Sequence, residues 1–208
     1  LSSTVVIAEP AAIGSTAIPV DIICNGAANG SITSNVNGGT GPFTYAWSPS
    51  GGNAANATNL GPGNYTITIT DANGCTTSAS ATVAEPAALT ASIGTPVDVL
   101  CNGGATGSAS VTAGGGSAPF TYSWSPSGGN GSTASNLTAG NYSVTISDAS
   151  GCTSTAAVTI YEPTPVVTAI TASTDVICNG AADGTANANA NGGTGALSYT
   201  WTPTGGNT

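Results

Sequence analysis

Five cysteines and nine carboxylates make up nearly all the reactive chemistry of this 208-residue chain, which contains no Lys, Arg or His. Cys24, Cys75, Cys101, Cys152 and Cys178 could pair as disulfides, ligate a metal or act as nucleophiles. Nucleophilic and acid–base catalysis both need a partner base or acid of tuned pKa, and only the carboxylates are left to supply one. Asp21 with Asp71 could in principle form a glycosidase pair. The carboxylates recur at regular intervals, however, which suits architecture better than a single asymmetric active site, and no enzyme is expected. Zinc lacks a ligand set without His or free thiolates. Lys–Asn isopeptide cross-links are excluded by the absence of Lys. Calcium is the one metal with suitable hard ligands, as Glu85 with Asp98 and Glu162 with Asp175 would flank successive boundaries and could stiffen them. No other cofactor is indicated.

These residues are positioned by a repeat. An offset of 77 superimposes Cys24 on Cys101 and Cys178, Cys75 on Cys152, Asp21 on Asp98 and Asp175, and Trp47 on Trp124 and Trp201. Glu9-Pro10, Glu85-Pro86 and Glu162-Pro163 recur with one residue of slippage, and Pro there favours an extended connection. Boundaries placed at these steps divide the chain into 1–9, the last strand of a preceding repeat; 10–86, repeat 1; 87–163, repeat 2; and 164–208, part of repeat 3. The opening Leu1-Ser2-Ser3-Thr4 has no initiator Met and no export signal, as expected of an internal fragment.

Within a repeat, Tyr65, Ile67 and Ile69 alternate with Thr66, Thr68 and Thr70, and Tyr142, Val144 and Ile146 repeat the pattern of a half-buried strand. Phe43, Tyr45 and Trp47 alternate on another strand, entered through Gly-Pro. Asp71-Ala72-Asn73-Gly74 supplies residues that tolerate positive φ, so a hairpin turn is expected there. Six or seven such strands per repeat point to an all-β chain of tandem immunoglobulin-like sandwiches of about 77 residues, with Trp47, Trp124 and Trp201 as core residues. The alternative for these Trp is an exposed platform that stacks on sugars. Tyr161 replaces Ala84 just before the Glu-Pro step, which suggests an inter-repeat contact.

So small a sandwich, filled largely by Ala and Val, buries a limited fraction of its surface. A disulfide in each repeat, Cys24–Cys75 and Cys101–Cys152, would close a loop and contribute about 2–4 kcal/mol. Cys178 would find its partner beyond Thr208; the bland alternative is a free buried thiol. Disulfides imply an oxidising, extracellular compartment.

Charged residues are 4% of the chain, and the net charge is −9 with no cation to neutralise phosphates, which excludes nucleic-acid binding and attraction to anionic membranes. No apolar run approaches the roughly 18 residues needed to span a bilayer. Asn-x-Ser/Thr occurs at Asn56, Asn64, Asn130, Asn136 and Asn141, as chance allows in a chain so rich in Asn and Thr. Partners are therefore expected among other copies of the chain, neighbouring repeats or surface glycans.

Cys-Asn-Gly, then Gly-Gly-Thr-Gly-Pro-Phe-Thr-Tyr-Ala-Trp at 38–47, Asn59-Leu60-Gly61-Pro62-Gly63-Asn64-Tyr65 and Asp71-Ala72-Asn73-Gly74-Cys75 together resemble the SprB repeat. The resemblance spans nearly the whole chain. It departs at Ala196-Leu197, which replace the Pro-Phe pair. Gly38 to Trp47 also resembles PKD domains. The resemblance implies a surface adhesin or filament of Bacteroidota, exported by type IX secretion and in some members serving gliding motility, with no catalytic residues to carry over. The expected function is mechanical, a stalk or a self-assembling fibre subunit at the cell surface; the rival is a carbohydrate-binding array whose weak sites gain by avidity.

Overall fold

A computed structural model describes residues 3–5 and 7–202. Its described residues form strands and turns with no helix. In repeat 1 the strands are β1 (Gly14–Val20), β2 (Gly30–Asn37), β3 (Thr44–Ser48), β4 (Asn56–Leu60), β5 (Gly63–Thr70) and β6 (Thr76–Val83). They form two three-stranded antiparallel sheets, ordered β1-β2-β4 and β3-β5-β6. Ile32, Ala57 and Leu60 of the first sheet meet Trp47, Tyr65, Ile67, Ile69 and Val83 of the second. Ile67 and Ile69 are fully buried, each contributing about 2–3 kcal/mol of hydrophobic burial. The intervening Thr66 faces outward and bonds to Ser80 across the β5–β6 ladder at 2.8 Å. Period-two alternation therefore sets the register, since a one-residue slip would exchange the Ile and Thr faces.

Repeat 2 has the same plan. Its strands are β7 (Thr90–Ile93), β8 (Gly107–Gly114), β9 (Thr121–Ser125), β10 (Thr133–Leu137), β11 (Gly140–Ser147) and β12 (Thr153–Ile160). They form the sheets β7-β8-β10 and β9-β11-β12. Beyond them β13 (Val167–Thr174) pairs with β14 (Thr185–Asn191). The fold is all-β, a tandem array of immunoglobulin-like sandwiches. Of residues 1–9, expected as the last strand of a preceding repeat, 3–5 and 7–9 carry no strand, and 1, 2 and 6 lie outside the described residues.

The chain forms two compact units. The first runs to Thr90 and includes Gly114–Phe120 and Ser147–Thr153; the second holds Ala91–Ala113, Thr121–Ile146 and the chain from Ser154 onward. The first unit thus contains repeat 1, the connection that leaves it, and the β8–β9 and β11–β12 turns of repeat 2.

The ends of a sandwich are set by its turns. Gly38 and Gly39 take φ values of 64° and 67° between β2 and β3. A Cβ on Gly38 would lie 2.0 Å from the Ala12 carbonyl oxygen, so only glycine lets the incoming chain lie so close. The Asp71 turn sits at this same end, its carboxylate bound to the Thr40 amide. We call it the near pole. The loop 21–29 and the Ala84–Pro86 segment mark the opposite, far pole, where Ile22 N–H donates to the Ala84 carbonyl at 2.9 Å.

Candidate functional site

The far pole of repeat 1 is built by short polar contacts to the connection that leaves it. Asp21 Oδ1 accepts from Ala84 N–H at 2.9 Å, and Glu85 Oε2 accepts from Gly26 N–H at 2.9 Å. Asn25 Nδ2 donates to the Pro86 carbonyl at 3.0 Å, and Ala27 N–H closes a turn on the Cys24 carbonyl at 3.0 Å. Ile22 is buried beneath this loop. The Cys-Asn-Gly turn and the Glu-Pro step are therefore one unit, and Cys24 is presented from it.

In repeat 2, Asp148 organises the β11–β12 turn that presents Cys152. Its Oδ1 accepts from the amides of Ser150 and Cys152, both at 2.9 Å, and its Oδ2 accepts from the Ser117 amide at 3.0 Å. The Ser117 amide is the main influence holding the Asp148 carboxyl below its ordinary pKa; burial opposes this, and the Cys152, Ser150 and Gly151 amides reinforce it. Asp71 has the corresponding set: burial pushes its carboxyl up, but the Thr40, Cys75 and Asn73 amides outweigh that and leave it below the usual value. Such N–H donors favour the charged form. The connection itself is held by Gly116 N–H, which donates to the Ala87 carbonyl at 3.1 Å.

Cys24 and Cys152 are joined by a disulfide, with their Cα atoms 5.6 Å apart and 128 residues between them in sequence. This corrects the expected Cys24–Cys75 and Cys101–Cys152 pairs. Cys75 lies at the near pole and Cys24 at the far pole of the same sandwich. The eight residues of β6 that lead from one to the other span about 26 Å, whereas a disulfide requires Cα atoms within about 7 Å. Cys75, Cys101 and Cys178 are exposed free thiols. Cys178 is expected to pair beyond Thr208, with a free buried thiol as the alternative; its exposure rules out the burial in that alternative.

The remaining candidates fall elsewhere. Trp47 and Trp124 are buried, their indole N–H groups donating to the carbonyls of Ala54 at 2.9 Å and Gly131 at 3.0 Å. Trp201 is half-buried beside an open pocket with Ile170, Ala188 and Tyr199. Of the four carboxylates considered for calcium, three accept from backbone amides within their own repeat. Glu85 binds Gly26 N–H, Glu162 binds Gly103 N–H at 2.6 Å, Asp98 binds Tyr161 N–H at 2.9 Å, and Asp175 is exposed. Among the described residues no three of His, Cys, Asp and Glu lie together. Tyr161 is 65% exposed, while its carbonyl accepts from Val99 N–H at 2.9 Å.

The residues that latch the connection, Asp21, Asn25 and Glu85, went unrecognised as latches in the sequence. Their signal was present: Asp, Cys-Asn-Gly and Glu-Pro recur together at every period.

This geometry defines a class of protein, an array of small β-sandwich repeats whose connection is closed by a disulfide reaching from one repeat into the next. The SprB repeat model matches residues 16–54, 93–131 and 170–206, more than half of the chain and with starts 77 residues apart. The chain belongs to the SprB-repeat family, whose arrays form repeat regions of extracellular and cell-surface adhesins. No curated protein sequence matches it. Among solved structures it is similar to a C-terminal fragment of intimin in complex with the translocated intimin receptor's intimin-binding domain, at 15% identity over 77% of this chain and 67% of that one, with a TM-score of 0.36. It is similar to a tetra-tandem repeat in the extending region of a large adhesion protein, at 20% identity over 90% of this chain and 57% of that one, with a TM-score of 0.26. It is also similar to Dscam, at 14% identity over 73% of this chain, with a TM-score of 0.32; it spans 46% of that chain's length. No helix among the described residues is long and apolar enough to cross a membrane.

Proposed function

We propose that this array is the stalk of a bacterial surface adhesin, holding a binding domain away from the cell and carrying tension between the two. The observation behind this reading is the Cys24–Cys152 bridge. A disulfide within one repeat would stabilise that repeat alone, whereas one that reaches into the next gives tension a covalent route past the intervening fold. The latched Glu-Pro connection supports the same reading, because Glu85, Asn25 and Asp21 restrict the segment that would otherwise hinge. Export by type IX secretion, a place in gliding motility and an origin in Bacteroidota belong to this proposal on the strength of the family resemblance.

Electron microscopy of the purified chain tests it. A stalk segment remains as separate thin particles at high concentration, with or without calcium. Ordered lateral fibres with an axial repeat would overturn the stalk reading and make the chain a filament subunit.

A further inference from the structure

The Cys24–Cys152 bridge joins two different surfaces, a plug and a socket. The plug is the Cys24-Asn25-Gly26 turn. The socket is the Cys152 turn with Ala88 and Leu89 beside it, and the two surfaces together line one shallow cavity. Both surfaces occur again in the chain with the same internal geometry.

The near pole of repeat 1 repeats the socket. Asp71 Oδ1 accepts from the Asn73 and Cys75 amides, both at 2.9 Å, as Asp148 does from Ser150 and Cys152. Asp71 Oδ2 accepts from Thr40 N–H at 3.1 Å, against 3.0 Å for Ser117 at Asp148. Gly39 N–H donates to the Ala11 carbonyl at 3.0 Å, against 3.1 Å for Gly116 to Ala87. Pro10, Ala11, Ile13, Cys75 and Thr76 line an open depression here, and Cys75 is an exposed thiol. The plug recurs at Cys101: Gly103 N–H binds Glu162, Asn102 Nδ2 binds the Pro163 carbonyl at 3.1 Å, and Cys101 is exposed.

We infer that the near pole of repeat 1 is a docking surface for the Cys-Asn-Gly turn of another SprB repeat placed ahead of it, sealed by a disulfide to Cys75. The partner is defined by what the equivalent socket holds: a turn whose cysteine sulfur reaches the socket sulfur while its Asn and Gly bind the Glu-Pro connection. Bond formation removes two protons and two electrons from the two thiols. A disulfide oxidant such as oxidised glutathione takes up the electrons and is reduced to two thiols. This inference holds for a stalk or a fibre subunit alike, so its failure and the failure of the stalk reading are distinguishable.

The test extends the chain by placing residues 87–163 in front of Ala11, so that 154–163 replace their counterparts 1–10. After folding in a glutathione redox buffer and alkylation of free thiols, a protease that cuts before aspartate puts every cysteine in its own fragment. The expected result is fragment 71–97 joined to fragment 98–147 of the added repeat, alongside 21–70 joined to 148–174. Cys101→Ser in the added repeat alone should return Cys75 to the alkylated pool. The inference is overturned if Cys75 is alkylated while Cys24–Cys152 is closed, or if 71–97 is joined to 21–70. The 208-residue chain gives a second measurement independent of the extension: its Cys75 must alkylate under native conditions, and any internal bridge to Cys75 overturns the inference.

Discussion

Breaking the Cys24–Cys152 bond should change how far the chain extends under force, by an amount the structure fixes. When the ends are pulled, tension enters repeat 1 ahead of Cys24, crosses the bridge and leaves after Cys152. The residues between carry no load while the bond is intact. The 128-residue separation, at about 3.5 Å per extended residue less the 5.6 Å bridge, locks away about 440 Å of chain. Single-molecule pulling through terminal handles that avoid cysteine should therefore give a total contour length about 440 Å shorter in the oxidised chain than in the reduced chain or in Cys152→Ser. A shortfall near 180 Å, or a multiple of it, would be the signature of closed Cys24–Cys75-type loops and would refute the reasoning. Equal lengths in both redox states would refute it too. The same bond restricts the unfolded ensemble, and chain-entropy reasoning for a loop this long gives about 5 kcal/mol, near the top of the range for disulfides.

Two further predictions concern the near pole. Asp71 has a lowered folded-state pKa, so its stabilisation is fully present above the ordinary carboxylate value near 4 and fades as pH falls through the lower folded value. Asp71→Asn should lower the melting temperature at pH 7, and calorimetry should find the gap from the parent narrowing below about pH 4; a gap independent of pH would contradict this. Gly38→Ala should cost about 2 kcal/mol or more, because the new Cβ meets the Ala12 carbonyl at 2.0 Å in a left-handed backbone, whereas Gly74→Ala meets no atom within 4 Å and should cost less. Urea midpoints compare the two, and equal midpoints would be the contrary result.

The sequence alone determined the repeat, the strands and much of the core. Alternation of Ile67 and Ile69 with Thr66 and Thr68 is a local property, and burial of one face follows wherever a second sheet covers it. One Trp per period, alternating with Tyr and Phe on its strand in the first two repeats, is legible in the same way. The backbone partners of the carboxylates lie at longer range. Glu85 and Asp98 each accept from a backbone N–H about 60 residues away, Gly26 and Tyr161, and only the folded chain brings such pairs together.

The cysteine pairing was beyond what the sequence could decide. Translation by 77 residues maps Cys24 to Cys101 and Cys75 to Cys152 whether the bond stays within a repeat or reaches into the next, and each scheme uses one cysteine of either kind per repeat. Counting and spacing are blind to the difference. What separates the schemes is that β6 carries the chain from the near pole at Cys75 to the far pole beside Cys24, a span several times the reach of a disulfide. The tertiary structure then turns the Glu-Pro connection so that the far pole of one sandwich meets the next Asp-anchored turn, and Cys24 finds Cys152 there.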